Sequence, residues 1–272
     1  MIRLVTDSNS QITADLRQRF AVDVVSMTVV VDGRPLLEGS EIDLAGITAA
    51  LVRGAIVSSS TPSPGQFLQA YQRAADEGAA RVLSVHTGGA VSAVANAARI
   101  AAPMAPIPVE VVDTGTASFP VAMCTWVAGE VLAKGGTVEG AAAAARRTVE
   151  QVGNVFIVGT PALAAQGGRL ASGVEASGIP VLALADGAMR AVGRVSEVDQ
   201  AVEALAAYVV EQAAGARLRV GVGSLEAADL ADALERELRA RCDLEELVRY
   251  DVGPSVAVHT GLGTVGCVFH PV

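Results

Sequence analysis

Three strand-like runs in the first half of the chain stop at residues able to hold an anion. IRLVT (2–6) runs into Thr6-Asp7-Ser8, RVLSVH (81–86) into His86-Thr87-Gly88-Gly89 with Ser92 beyond, and IPVEVVD (107–113) into Asp113-Thr114. A fourth segment, SSSTPSPGQF (58–67), sets Ser59, Ser60 and Thr61 just ahead of a helix start. There Ser63 can serve as N-cap, Pro64 takes the first helical position and Gln66 completes a capping box. Ligands of open parallel α/β sheets bind at the carboxyl ends of the strands, and helix N-termini offer free N–H groups to an anion. Hydroxyls gathered on such a crest suit a carboxylate or phosphate headgroup. The same residues are also ordinary caps and turn formers, and spacing alone leaves both uses open.

Other chemistries fit less well. A Ser–His–Asp hydrolase can be assembled from Ser92, His86 and Asp113, but the G-x-S-x-G nucleophile elbow is absent. No nucleophile–base pair stands out close in sequence either. GLGTVG (261–266) is a literal G-x-G-x-x-G, yet only Cys267 to Val272 follow it, which leaves no helix to receive a pyrophosphate. Cys267 and His270 have ligand-like spacing without a second pair to complete a zinc site. No catalytic residue and no metal ligand is therefore expected.

The elements that must carry these residues alternate. Strands at 2–6, 22–31, 81–86 and 107–113 precede helices near 13–20, 43–53, 91–102 and 117–134, and a further helix covers about 138–152. Such alternation predicts a mostly parallel sheet covered on both faces. Beyond it, NVFIVG (154–159) leads to a short helix, and IPVLALA (179–185) and MRAVGRV (189–195) flank Asp186-Gly187, a hairpin turn signal. Helices near 197–214 and 225–240 follow, the second with Leu230, Leu234 and Leu238 on one face. Short strands close the chain near 247–251, 255–258 and 265–269. The expected organisation is two α/β domains, residues 1–153 with a mostly parallel sheet and residues 154–272 with a mixed one.

Composition bounds the partners. The 272 residues are 51% hydrophobic but only 3% aromatic, with a net charge of −9. That acidity argues against nucleic acid, which needs a basic footprint, and against anionic membranes. Mean hydropathy is high at +0.44, but no continuous apolar run reaches the length of a membrane span. There is no secretory leader pattern, and three widely spaced cysteines without a CxxC read as reduced thiols of a cytoplasmic protein.

Seven segments, in order, resemble the DegV family of bacterial fatty-acid-binding proteins, the FakB-type lipid carriers. Thr6-Asp7-Ser8 is similar to the family's opening motif. In SSSTPSPGQF, Ser59 and Ser60 take the places of the threonine and serine of a TSQPS-type segment, and Thr61 replaces the glutamine. VHTGGAVSAVANAA (85–98) resembles VHLSSKLSGTYQSA, with His86 and Ser92 matched and Ala93 and Val94 departing. VVDTGTAS (111–118), FIVGTPALAAQGGRL (156–170, with Arg169), IPVLALADG (179–187, with Ile179 for lysine) and HTGLGTVG (259–266, with Leu262 for proline) complete the set. The resemblance implies a carrier with no cofactor and no catalysis of its own. It would enclose one long-chain fatty acid between two domains and present the carboxylate to a separate ATP-dependent fatty-acid kinase subunit. That kinase would make an acyl-phosphate for phospholipid synthesis. Carried over by position, Ser59, Ser60, Thr61 and Ser92 become carboxylate-binding hydroxyls, and His86, Arg169 and His259 become headgroup- or partner-facing. The alternative is a small-molecule acyl- or phosphoryl-transfer enzyme acting at the same strand-end site.

Overall fold

A computed structural model describes residues 1–166 and 178–272. The first half contains β1 (Ile2–Asp7), α1 (Ala14–Arg19), β2 (Val22–Val25), β3 (Thr28–Val31), β4 (Arg34–Leu37), α2 (Leu44–Val52) and β5 (Val57–Ser60). It continues with α3 (Pro64–Asp76), β6 (Arg81–His86), α4 (Val94–Ala101), β7 (Val109–Asp113), α5 (Phe119–Ala133) and α6 (Val138–Gln151). The second half contains β8 (Gly153–Ile157), α7 (Pro161–Gln166), β9 (Ile179–Ala185), β10 (Ala188–Val195), α8 (Ala201–Ala213) and β11 (Leu218–Leu225). It ends with α9 (Ala228–Arg241), β12 (Leu244–Asp251), α10 (Pro254–Thr260) and β13 (Thr264–Pro271).

Two α/β units result. The first comprises Met1–Val30, Arg34–Glu41 and Ser59–Glu150; the second comprises Val31–Gly33, Ile42–Ser58 and Gln151–Val272. A single cut at residue 153 does not describe this division, because α2 packs against α10 and so takes its segment into the second unit. The first unit holds a sheet of order β2-β1-β6-β7, parallel throughout. Consecutive strand residues face opposite sides, so Val5 and Val82 meet Phe67, Tyr71 and Val94 of α3 and α4. Their neighbours Leu4 and Leu83 meet Cys124, Ala128 and Ala141 of α5 and α6. Burial on both faces is what a parallel sheet requires, and the alanines let the helices approach closely.

The second unit holds a mixed sheet of order β10-β9-β8-β13-β11-β12, in which only β11 and β12 run parallel. Its main core joins Val155, Val220, Val265 and Phe269 to Leu205 of α8 and Leu234 and Leu238 of α9. Asp186 and Gly187 both have positive φ, 51° and 76°, as a two-residue hairpin loop demands.

Several elements differ from expectation, among them β4 (Arg34–Leu37), a strand not foreseen. The run 22–31 is two strands, β2 and β3, in separate sheets; Met27, between them, gives its N–H to Ser8 Oγ instead of a sheet partner. Residues 57–60, expected only to precede a helix start, form β5. Residues 254–260 are helical, with Pro254 in the first turn after Gly253, a position where the missing proline N–H costs nothing.

Candidate functional site

The crest of the first unit is built where β1, β6 and β7 end. Asp7 closes β1 and is wholly buried. Its Oδ1 accepts the Thr87 hydroxyl (2.8 Å), and its Oδ2 accepts the Thr87 N–H (2.9 Å) and lies 3.0 Å from His86 Nδ1. With that carboxylate accepting, Nδ1 carries the imidazole proton, and Nε2 is left to accept from Ser84 Oγ at 2.6 Å. Ser84 in turn receives the Tyr71 hydroxyl at 2.9 Å. Tyr71, Ser84, His86 and Asp7 thus form one hydrogen-bonded chain through the interior. Burial pushes the Tyr71 phenol up to about 12, against a smaller lowering by Ser84, so it remains a donor throughout the physiological range. The Phe67 ring stands edge-on to His86, centroids 4.9 Å apart.

The neighbouring loops are stitched to this chain. Asn9 Oδ1 accepts the Ser118 N–H (3.0 Å) and the second, longer reach of the Thr87 hydroxyl (3.2 Å). Thr114 Oγ1 donates to the His86 carbonyl (2.9 Å), and Gly88 N–H donates to Thr116 O (2.8 Å). Asp113 Oδ1 accepts from both Gly89 N and Gly115 N at 3.0 Å, while Oδ2 accepts from Arg99. Burial raises the Asp113 carboxyl, but those two amides and Arg99 outweigh it and hold the group below its ordinary range.

Above this scaffold, Thr61 Oγ1 and Ser92 Oγ lie 3.2 Å apart, both partly buried. The Ser92 N–H is held by Gly88 O at 2.9 Å, so the 87–92 loop fixes where its hydroxyl sits. Thr61 is fixed from the other side by α3, whose N-terminus carries the full capping box of Ser63 and Gln66 with Pro64 in the first turn. Ser59 is partly buried and Ser60 exposed; the hydroxyl that meets Ser92 is that of Thr61. Neutral hydroxyl donors so placed can bind a carboxylate.

His86 needs correction. Its ring is wholly buried with both nitrogens engaged, so a headgroup-facing ring gives way to an interior one. The chain also contains the nucleophile–base pair that was not expected: Ser84 and His86, two residues apart on one face of β6, followed by Asp7. Ser84 is entirely shielded from solvent, and its oxygen already accepts from Tyr71, so no substrate reaches it. The signal was the i, i+2 period of a strand; what hid it was Asp7, which lies 79 positions from His86.

His259 stands in the second unit, partly buried in the last turn of α10. The loop after it is clasped to the end of β8. Thr160 N donates to Thr260 O (3.0 Å), and Thr264 Oγ1 receives Gly159 N (3.3 Å) while donating to Gly261 O (2.7 Å). A Cβ on Gly159 would fall 1.5 Å from Leu262 O, and one on Gly266 of GLGTVG 2.5 Å from Val155 O, so both glycines serve close backbone packing. The strand β13 begins within the motif, at Thr264. The second unit also has a cleft of about 670 Å³, lined mainly by apolar residues including Ile157, Val158, Ile179, Leu230 and Leu262. Its size is that of ligand pockets generally. Arg169 lies outside the described residues. Among those described, no cluster of metal-ligating side chains occurs, and no helix is long and apolar enough to cross a membrane.

Known proteins share this architecture. The structure of a fatty-acid-binding DegV family protein from Thermus thermophilus superposes with a TM-score of 0.92 at 33% identity, covering 100% of this chain and 99% of that one. The DegV of Bacillus subtilis, 20% identical with a TM-score of 0.88, shares the fold, covering 100% and 99% of the two chains. A DegV domain-containing protein of Streptomyces coelicolor is 33% identical over 273 residues, spanning 98% of this chain and 97% of its own. The family model described as "Uncharacterised protein, DegV family" matches residues 1–272. With the paired sheets, the strand-end loops and the full-length match in agreement, the chain belongs to the DegV family.

Proposed function

We propose that this protein is a cytoplasmic carrier that binds a long-chain fatty acid and presents its carboxylate to a separate ATP-dependent fatty-acid kinase. The product of that encounter is an acyl-phosphate for phospholipid synthesis. The observation that carries the reading is the Thr61–Ser92 hydroxyl pair at 3.2 Å, in a chain whose 33%-identical structural relative from Thermus thermophilus binds fatty acid. A carboxylate moved into apolar surroundings needs donors to offset its lost hydration, and Thr61 and Ser92 supply them. Ser59 and Ser60, from the same segment, complete the hydroxyl-rich crest. Arg169 and His259 are assigned to the headgroup or the partner; an arginine beside an acyl-phosphate can contact it bidentately.

The competing reading is an acyl- or phosphoryl-transfer enzyme at the same crest. It requires a base within reach of a nucleophile that substrate can approach. The Ser84–His86 pair meets the first condition and, with Ser84 and His86 at 0% exposure, fails the second. Carrier function is tested by native mass spectrometry and organic extraction of the protein purified from bacterial cells. Co-purifying fatty acid, or saturable binding of added palmitate, is expected; absence of both refutes the reading. Replacing Ser92 by Ala removes a donor to the carboxylate, worth about 1.5–3 kcal/mol for a charged acceptor, so palmitate affinity should fall at least about tenfold. Unchanged affinity would leave Ser92 as a helix-terminus residue only.

A further inference from the structure

We propose that Asp7 is the positioning residue for the carboxylate-binding hydroxyls, acting through His86 and Thr87 without touching the ligand. The inference rests on the carboxylate-binding reading of Thr61 and Ser92. The first unit buries an aspartate, its one histidine, a serine and a tyrosine along one line, and carboxylate binding by Thr61 and Ser92 uses none of them directly. Buried polar groups are costly unless satisfied. Here each is satisfied, and the donors run one way, from Tyr71 through Ser84 and His86 to Asp7.

The consequence falls on the 87–92 loop. Asp7 holds Thr87 by both its backbone N–H and its hydroxyl, which fixes where the chain leaves β6. One residue on, Gly88 holds the Ser92 N–H through its carbonyl. Between Asp7 and the Ser92 hydroxyl there are therefore only two backbone-level links. The neighbouring tie, Asn9 to Ser118, fixes the adjoining loop from the same β1 end. Preorganised donors bind better than donors that must first be ordered, so loosening Asp7 should cost ligand affinity at a distance.

Two Asp7 variants separate geometry from charge. In Asp7→Ala the Thr87 N–H and the His86 Nδ1–H lose their acceptor. In Asp7→Asn the amide oxygen can replace Oδ2 for both donors, while the amide N–H₂ donates to Thr87 Oγ1, whose own proton turns to Asn9 Oδ1, 3.2 Å away. The measurements are palmitate affinity and amide exchange at residues 87–92, with Ser92→Ala and Val138→Ala beside them. Val138 is a buried core residue of α6 and serves as a stability-lowering control. Asp7→Ala is expected to lose at least about tenfold in affinity and to speed exchange in the loop, Asp7→Asn to stay within about threefold of wild type, and Val138→Ala to leave affinity unchanged. Wild-type affinity in Asp7→Ala, or equal losses in Asn and Ala variants, overturns the proposal. So does an equal loss in Val138→Ala. If Asp7→Ala does not fold, Thr87→Val removes the hydroxyl tie alone, and unchanged affinity and exchange there overturn it equally. A wild type that binds no palmitate defeats the carrier reading itself, an outcome distinct from Ser92→Ala losing affinity while Asp7→Ala keeps it.

Discussion

Replacing Gly88 by alanine should disturb the crest more than any other one-carbon addition to it. A Cβ at Gly88 would lie 2.1 Å from both the Cα and the N of Gly115. These are backbone atoms, so no rotamer change relieves the contact. Gly115 itself has φ +65°, a conformation that holds its loop in a shape few residues adopt. To reach ordinary contact at 3.4 Å the two loops must part by roughly 1.3 Å. That separation stretches the 2.8 Å bond from Gly88 N to Thr116 O beyond hydrogen-bonding range. Overpacking costs about 1–3 kcal/mol, and the lost hydrogen bond adds about 1, for a total of about 2–4 kcal/mol.

Urea denaturation reads this directly. With a slope of about 2 kcal/mol per molar, the midpoint for the first unit should fall by about 1–2 M. Palmitate affinity should fall with it, since Gly88 O anchors the Ser92 amide. Gly65 provides the opposite sign. It lies in the first turn of α3 without positive φ, and a Cβ there meets only Ser63 Oγ at 3.7 Å, so Gly65→Ala should gain about 0.4–1 kcal/mol by restricting the unfolded chain. A Gly88→Ala midpoint within about 0.3 M of wild type would refute the claim that these loops are packed backbone to backbone.

Other expectations concern titration and thiols. Asp113 is held below the ordinary carboxylate value of 3.8, so its contribution to stability is present above the unfolded value, about 3.9, and is lost as pH falls through the folded one. Wild type should therefore exceed Asp113→Asn in urea midpoint at pH 7, and the gap should close below about pH 4; a gap independent of pH would contradict the assignment. Of the three cysteines, Cys124 and Cys267 are buried, and burial pushes the Cys124 thiol up to about 12 and raises Cys267 as well. An aromatic disulfide reagent should label Cys242 alone in the native protein and all three after denaturation; rapid labelling of two native thiols would refute the burial argument.

What the sequence revealed depended on the range of the interaction. The capping box at Ser63–Gln66 and the Asp186-Gly187 turn are local, and both are legible residue by residue. The convergence of Ser92 with the 58–61 segment followed from a general rule about strand ends, although it is Thr61, the residue that departs from the family pattern, whose hydroxyl meets Ser92. Residues 254–260 misled because SVAV fits a short strand as well as a buried helix turn; Pro254 after Gly253 was the available signal. The split of 22–31 was not legible, since its cause is Ser8, nineteen positions away. Asp7 and His86 were each visible, but their pairing is purely tertiary.

The placement of that pair bears on why a carrier would keep it. An acyl-phosphate is a reactive intermediate, and an active site that makes or holds one must exclude side reactions with water. An accessible histidine beside it would be a general base for hydrolysis. In the first unit the one histidine is instead withdrawn from solvent, its Nδ1 bound by Asp7 and its Nε2 by Ser84. On the proposed reading Thr61 and Ser92 face the ligand there with hydroxyls, which do not abstract protons at neutral pH. A triad-like set turned inward thus ties the loop and keeps the two His86 nitrogens away from the crest. On the proposed reading those two effects serve one end, holding a carboxylate in place for phosphoryl transfer while His86 is kept from acting as a base for hydrolysis.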